Sequence, residues 1–323
     1  MNEALHIAFN SDDRVFTMGE DIAVYGGQLR CSYDLVENFG PEKVIDTPIS
    51  ETAIVGAGIG AAMLGLRPIV ELSYIDFIGV CFDQILNQMA KLRYMYGGNV
   101  SLPMVIRTQA GAGLGNGAQH SQSLEGILAH IPGIRVLIPS NAYDAKGLLL
   151  RAIRDNNPVI FIEHKALYKK KCEVPEEIYE CDYCCKIRRE GKDLTIVTYS
   201  AMVDQSLLAA EELAGEGIDV EVIDIRSIEP LDSETIIQSV KKTGHAVVVH
   251  EACVKGGFGA ELAAQIQEFA FTELKTPVMR VGAPNVPVPF APNLEKAYVP
   301  DRENIKEAVY QCLKPSKGQE NRL

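Results

Sequence analysis

The sequence predicts an α/β protein with two domains, and three observations support this fold class. Short runs rich in β-branched residues alternate with longer stretches of helical periodicity, which is typical of parallel strands joined by covering helices. The chain has 323 residues, 47% of them hydrophobic, which is more than one hydrophobic core usually organises. The periodicity also lapses near the middle of the chain. We therefore expect two successive domains, each with a parallel sheet.

In the first half, apolar runs predict five buried strands, at 15–18, 69–72, 104–107, 134–138 and 159–162. An amphipathic helix is expected over 81–96, because apolar residues recur there on one face before two glycines end the pattern. A second helix is expected over 142–154, with Ser140 as its cap. A third helix is expected to begin at Glu51, after Pro48 and a capping Ser50.

From residue 169 to 193 the pattern gives way to three lysines and a mixture of proline, glutamate and cysteine, which predicts a domain boundary. We assign 1–175 to the first domain, 176–192 to a linker and 193–323 to the second domain. Strands are expected there at 194–197, 220–223, 246–249 and 278–281, and helices near 203–213, 233–241 and 257–271. Asp301 is expected to cap a closing helix.

Composition argues against several classes of partner. A net charge of −12 disfavours a general attraction to nucleic acid or to an anionic membrane. No apolar run approaches the roughly 20 residues that span a bilayer, and the first residues lack the features of a signal peptide. We therefore expect a cytoplasmic protein with reduced cysteines. The cluster formed by Cys172, Cys181, Cys184 and Cys185 is read as part of a surface linker, with a zinc site as the less favoured alternative.

Glu51 is the first candidate for chemistry. It is expected in the first turn of a helix composed largely of glycine and alanine, facing the positive end of the helix dipole. Three glycines in this helix indicate that another helix or a ligand approaches its backbone closely, since each costs about 1 kcal/mol relative to alanine. The alternative is tight core packing behind a solvated capping glutamate.

His120 is the second candidate. It ends a glycine-rich stretch, residues 111–117, that follows a predicted strand, and ligands of open α/β sheets bind beyond the carboxyl ends of strands. A histidine delivered to that edge suits acid/base work, although a loop histidine bonded to backbone is the alternative. The glycine patterns match neither a dinucleotide fingerprint nor a Walker loop. The chain also lacks the Gly-Asp-Gly motif that accompanies magnesium diphosphate in thiamine enzymes.

Seven motifs in collinear order resemble one family. They are Gly19-Glu20-Asp21, residues 45–51, Gly65-Leu66-Arg67-Pro68, Asp83-Gln84, Gln119-His120-Ser121-Gln122, Ala145-Lys146-Gly147-Leu148-Leu149 and Asp155-Asn156-Asn157-Pro158-Val159. Together they look like the β subunit of thiamine-diphosphate-dependent 2-oxo acid dehydrogenase E1 components. The resemblance implies a pyrimidine-binding, transketolase-like domain followed by a transketolase C-terminal-like domain.

The resemblance also implies roles for individual residues. Glu51 matches the glutamate that hydrogen-bonds the aminopyrimidine ring, and an apolar setting would favour the proton sharing this requires. Phe77 matches the aromatic residue packed on that ring, and its alternative is an ordinary core position. His120 matches the histidine that reaches the reacting centre. Glu20 matches an acid in a polar relay between two cofactor sites. A possible potassium loop is matched by Ala152, Ile153, Asp155 and Asn157.

The same resemblance implies partners and a reaction. An α subunit would supply the diphosphate and magnesium side of the shared cofactor in an α2β2 assembly, and the two-carbon unit would pass to a lipoyl group on an E2 acyltransferase. Residues 76–84 and 121–124 look more like acetoin dehydrogenase β chains than pyruvate or branched-chain ones. A transketolase-like enzyme complete in one chain is disfavoured by length. A noncatalytic scaffold that docks E2 through its C-terminal domain is the alternative of a different class.

Overall fold

The computed structural model describes residues 1–314 and contains two sheets, one in each half of the chain. The strands are β1 (Val15–Gly19), β2 (Val44–Asp46), β3 (Arg67–Leu72), β4 (Val105–Ala110), β5 (Arg135–Leu137), β6 (Val159–His164), β7 (Lys186–Arg189), β8 (Leu194–Thr198), β9 (Val220–Asp224), β10 (Ser227–Glu229), β11 (Ala246–Cys253) and β12 (Met279–Ala283). All nine predicted strands are present. The three that the sequence did not predict, β2, β7 and β10, are short and lie at sheet edges.

The first sheet has the order β10-β5-β6-β4-β3-β1-β2. Its strands are parallel except β10, which comes from the second half of the chain and pairs antiparallel with β5. The second sheet has the order β12-β11-β8-β9-β7, and β7 is its one antiparallel strand among the described residues. Because β7 lies within 176–192, the segment predicted as linker contributes an edge strand to the second sheet.

Helices cover both sheets. They are α1 (Asn2–Ser11), α2 (Leu35–Phe39), α3 (Glu51–Met63), α4 (Leu92–Met95), α5 (Glu125–Ala129), α6 (Ala142–Arg154), α7 (Met202–Gly215), α8 (Ser233–Thr243), α9 (Gly259–Ala270), α10 (Pro292–Tyr298) and α11 (Arg302–Leu313). Asp301 caps α11 in a capping box with Asn304, as predicted. The predicted cap of α6 is wrong: Asn141 accepts the Asp144 N–H, and Ser140 instead donates to Asp224.

The helix predicted over 81–96 is not a continuous α-helix. Residues Gln84–Met89 form a π-helix, and the chain resumes an α-helical turn only at α4. The wider turn shifts the following residues around the axis. Ile85 and Met89 therefore face the core as predicted, whereas Met95 and Tyr96 are exposed.

A charged network joins the two halves. Asp144 of α6 accepts from Arg226 of the second half at 2.9 Å and also contacts Arg188. Arg188 reaches Asp224 at 2.8 Å, and Asp224 accepts from Ser140 at 2.5 Å. Both aspartates are almost fully buried, so each negative charge needs these partners. The network and strand β10 fix the second domain against the first.

The structure bears on two expectations that were drawn from composition. In residues 1–314 no helix is long and apolar enough to cross a bilayer. The same residues hold no group of three or more histidine, cysteine or acidic side chains placed to bind a metal ion. In that cluster Cys181 and Cys185 are buried, and Cys172 and Cys184 are exposed.

Candidate functional site

Glu51 begins α3 at the carboxyl edge of the first sheet. Its side chain is 7% exposed, and no residue within 1–314 donates a hydrogen bond to its carboxylate. The predicted cap is wrong, because the Ser50 side chain makes no capping bond. Behind Glu51, Gly58 packs on β3, where an added Cβ would lie 2.8 Å from Val70 Cγ2. That glycine serves core packing, and the Glu51 carboxylate is left without a hydrogen-bond donor among residues 1–314.

Glu20 lies within electrostatic reach of Glu51. It follows β1, whose end pairs with the end of β3. Partial burial and the neighbouring charge of Glu51 raise the pKa of Glu20, although a hydrogen bond with Ser73 opposes the shift. The raised pKa favours retention of a proton by Glu20.

Phe77 and His120 come together from separate loops. Phe77 lies in a 3₁₀ turn, Ile75–Gly79, and its ring centroid is 5.4 Å from that of His120 with the planes at 86°. Tyr74 completes the cluster, 5.0 Å from His120 and 6.0 Å from Phe77. Sequence reasoning missed Tyr74. The signal available for it was an aromatic residue two positions beyond the end of a buried strand and two before Asp76.

The turn that carries Phe77 is also tied to the start of α3. Thr52 Oγ1 donates to the Val80 carbonyl at 2.8 Å. Burial and the nearby charge of Glu51 raise the pKa of Cys81 to about 12. These contacts place Glu51 next to one end of the turn, while His120 touches its aromatic residues. The structure thus brings Glu20, Glu51, Phe77 and His120 to one edge of the sheet.

Two charged residues that the sequence analysis did not single out support His120. The Lys165 ammonium donates to the His120 carbonyl and lies 5.0 Å from the Tyr74 ring. Burial lowers the pKa of Lys165, although Asp76 and other acids oppose the shift. Asp76 Oδ1 accepts from the Gln122 backbone at 3.2 Å and from its side chain at 2.8 Å. Lys165 and Asp76 each follow a predicted strand within a few residues, and this position was the signal for them in the sequence.

Unpartnered polar atoms mark the same region as a ligand site. Asp76 Oδ2 and Ser121 Oγ are buried without a hydrogen-bond partner among the described residues. Such atoms usually have a partner, which here can be a ligand or an ordered water. With the free carboxylate of Glu51 and the ring of Phe77, they fit a flat heteroaromatic group that carries donors, such as an aminopyrimidine.

The oxygens of the loop predicted to bind potassium are already engaged. Arg67 donates to the carbonyls of Ile153 and Asp155 at 2.9 and 3.0 Å, and Arg93 donates to Asn157 Oδ1 at 3.0 Å. The Ala152 carbonyl accepts from the Asp155 N–H at 3.2 Å. Two guanidinium groups therefore hold these residues, and potassium binding by this loop stays a prediction.

Comparisons with known proteins agree with this architecture. The model of the transketolase pyrimidine binding domain matches residues 1–171, and that of the transketolase C-terminal domain matches residues 184–305. The β subunit of acetoin:2,6-dichlorophenolindophenol oxidoreductase from Cupriavidus necator is 47% identical, covering 98% of this chain and 97% of that one. The pyruvate dehydrogenase E1 component subunit β of Bacillus subtilis is 43% identical, covering 97% of both chains. A split gene transketolase, described as an inactive β4 tetramer, shares the fold at a TM-score of 0.78 and 23% identity, covering 97% of this chain and 96% of that one.

Proposed function

Because this chain belongs to the family of β subunits of acetoin and pyruvate dehydrogenase E1 components, we propose that it forms the aminopyrimidine half of a thiamine diphosphate site. The observation that carries the proposal is the buried Glu51, whose carboxylate has no donor within residues 1–314 and whose helix start is tied by Thr52 to the end of the turn that carries Phe77. The chain is a subunit of an oxidoreductase.

The residues of this chain bind and orient the cofactor. Thiamine diphosphate, when bound, supplies the nucleophile that attacks a substrate carbonyl. Glu51 holds a proton with a ring nitrogen of the aminopyrimidine, Phe77 packs against that ring, and Glu20 stabilises the proton on the paired carboxyls. His120 faces the reacting centre as a proton donor or orienting group. The burial of Glu51 limits access of water to its carboxylate and strengthens its interaction with the ring.

An α subunit completes the site. Large apolar side chains are exposed around its mouth: Val24, Tyr25, Ile49 and Val80 are between 58% and 81% exposed. Such a concentration of apolar surface is typical of a protein interface. We assign this surface to an α subunit in an α2β2 assembly, which also supplies the magnesium and diphosphate ligands. No step proposed for this chain depends on potassium.

Acetoin is the proposed substrate, and a lipoyl group on an E2 acyltransferase is the proposed acceptor. Support comes from the sequence of residues 76–84 and 121–124 and from two relatives, 47% and 44% identical, that are named acetoin:2,6-dichlorophenolindophenol oxidoreductase subunit β. Pyruvate and branched-chain 2-oxo acids are the alternatives. The cytoplasmic location stays a prediction, which cell fractionation would check.

The test is reduction of 2,6-dichlorophenolindophenol by this chain purified together with the α subunit of its E1 component. Magnesium and thiamine diphosphate are present, and acetoin, pyruvate and a branched 2-oxo acid are compared. Activity in the pair but not in either chain alone supports the shared site, and the preferred substrate decides between acetoin and pyruvate. Activity of the lone chain would contradict the shared site. Full activity of the α–β pair when this chain carries both Glu51→Ala and His120→Ala would favour the noncatalytic scaffold.

A further inference from the structure

The glycine-rich loop that leads to His120 is attached to the second domain. Ala112 is 1% exposed and packs with Ala283, Val288 and Tyr298, all of which belong to that domain. Further along the loop, a Cβ added at Gly117 would lie 3.4 Å from the Phe290 ring. The apolar contacts of this loop therefore cross the domain boundary.

Two buried carboxylates of the second domain accept hydrogen bonds from the loop backbone. Glu295 Oε1 accepts from the Gly113 N–H at 2.8 Å, and Glu295 Oε2 accepts from the Gly115 N–H at 3.0 Å. Glu251 Oε1 accepts from the Ala112 N–H at 2.7 Å, while its Oε2 contacts His164 Nε2 at 2.7 Å. Glu295 is 5% exposed and Glu251 is 7% exposed, so water competes little for these bonds.

The loop needs such contacts because its own sequence specifies no single conformation. Glycines 111, 113, 115 and 117 all have positive φ, between 69° and 103°. Glycine loses more conformational freedom on ordering than any other residue, and it offers no side chain to pack. Backbone N–H groups are therefore the main points at which residues 113–117 can be fixed, and charged acceptors bind them strongly.

The charges around the loop favour its attachment to Glu251 at one end and to Lys165 at the other. Burial opposes ionisation of Glu251, but the nearby His164 and the Ala112 N–H outweigh it and lower the pKa of this carboxyl. The ammonium of Lys165, which donates to the His120 carbonyl, faces the charges of Asp76, Glu251 and Glu295. The two ends of the loop are thus held by opposite charges that also attract each other.

From these contacts we propose that Glu295, assisted by Glu251, is a positioning residue that fixes the glycine-rich loop and so sets the place of His120. The second domain then takes part in the reaction through the loop, in addition to any docking role. This inference rests on the proposed role of His120. It concerns a residue outside the first domain, where all the candidate site residues lie.

The test compares Glu295→Gln with the unchanged protein in the complex with the α subunit. The amide keeps the shape of the side chain but turns an N–H₂ group toward the loop N–H groups. Hydrogen exchange of the peptide spanning 111–122 is expected to be about tenfold faster, because charge-assisted bonds are lost. We expect kcat to fall about 10- to 100-fold, with a smaller change in KM, because misplacement of a reacting group by about 1 Å has such effects. Glu295→Asp, which keeps the charge, should be intermediate, and it replaces Glu295→Gln if that variant does not fold.

Glu268→Gln is the matched control, because Glu268 is exposed on α9 of the same domain. It should change neither readout. If Glu295 acts through His120, Glu295→Gln should cost little further activity in a His120→Ala background. Unchanged exchange in the loop would overturn the inference, whatever the activity. Full activity of His120→Ala, with faster loop exchange in Glu295→Gln, would overturn the role of His120 but confirm that Glu295 fixes the loop.

Discussion

The rings of His120 and Phe77 lie nearly perpendicular, with centroids 5.4 Å apart and planes at 86°. Because a perpendicular pair brings the edge of one ring to a face of the other, His120 covers at most one face of Phe77, and the opposite face can pack on a ligand. We therefore expect Phe77→Ala to weaken thiamine diphosphate binding to the α–β pair about tenfold, since stacking on an aromatic ring contributes about 1–3 kcal/mol.

Titration calorimetry on the pair would measure this affinity. Phe77→Leu, which keeps most of the apolar volume, should lose less, and Phe271→Ala is the control because Phe271 is exposed in the second domain. An unchanged Kd in Phe77→Ala would remove Phe77 from the cofactor site.

Glu51→Gln should lower kcat by at least about 10²- to 10⁴-fold, the range usual for a lost acid/base group. Gln retains the size of the side chain, so assembly with the α subunit should persist in size-exclusion chromatography. Glu37→Gln, an exposed change in α2, should leave kcat unchanged. Retention of most activity in Glu51→Gln would exclude the proposed proton sharing.

Arg107→Met should destabilise the first domain strongly. The guanidinium is fully buried and bonds Glu71 at 2.8 Å and Glu163 at 2.7 Å, so its loss leaves two buried carboxylates without a counter-charge. Removing one side of such a network typically costs about 3–5 kcal/mol. Urea unfolding followed by circular dichroism measures the change.

Two further variants separate charge from packing at this network. Adding Glu71→Gln and Glu163→Gln to Arg107→Met should restore part of the lost stability, because neutral side chains need no counter-charge. Arg14→Met, at an exposed ion pair, should unfold like the unchanged protein. If the triple variant is no more stable than Arg107→Met, packing rather than charge governs the effect.

Acidification should destabilise the second domain through His250. Burial lowers the pKa of this histidine from 6.5 to about 4, since Gly257, Gly259 and Gly282 close around its ring. The unfolded chain then binds a proton below pH 6.5 that the folded chain binds only near pH 4. The free energy of unfolding should therefore fall by up to about 1.4 kcal/mol per pH unit across that window.

Urea titrations at pH 7, 6 and 5 would measure this dependence. His250→Asn should show a flatter profile, and His130→Asn, at an exposed position, should keep the original slope. An equal slope in His250→Asn would assign the pH dependence to other groups.

The elements that the sequence predicted well are those whose patterns are set by burial. The central strands and α6 carry long apolar runs, so their bounds lie within a few residues of the prediction. Edge strands such as β10 have three or four residues and are specified by their partners, and no local pattern reveals them. The π-helix over Gln84–Met89 was missed because its apolar spacing is compatible with an α-helix.

The residues of the candidate site also differ in whether the sequence could reveal them. Glu51 and His120 were found from their positions beside a helix start and a strand end, and Glu20 and Phe77 from family resemblance. Their roles remain predictions. Glu251 and Glu295 could not be found, because they are separated from the loop by about 140 and 180 residues and only folding brings them there.

The pairing of β10 with β5 also bears on how the chain is made. During synthesis on a ribosome, the first 175 residues emerge well before Ser227–Glu229, so the nascent first sheet has an open edge at β5. An open edge can pair with other chains. A domain whose edge is covered only by a later segment of the chain can therefore aggregate before that segment is made. A chain released at residue 175 would keep that edge permanently, and we expect it to aggregate rather than accumulate as a folded first domain.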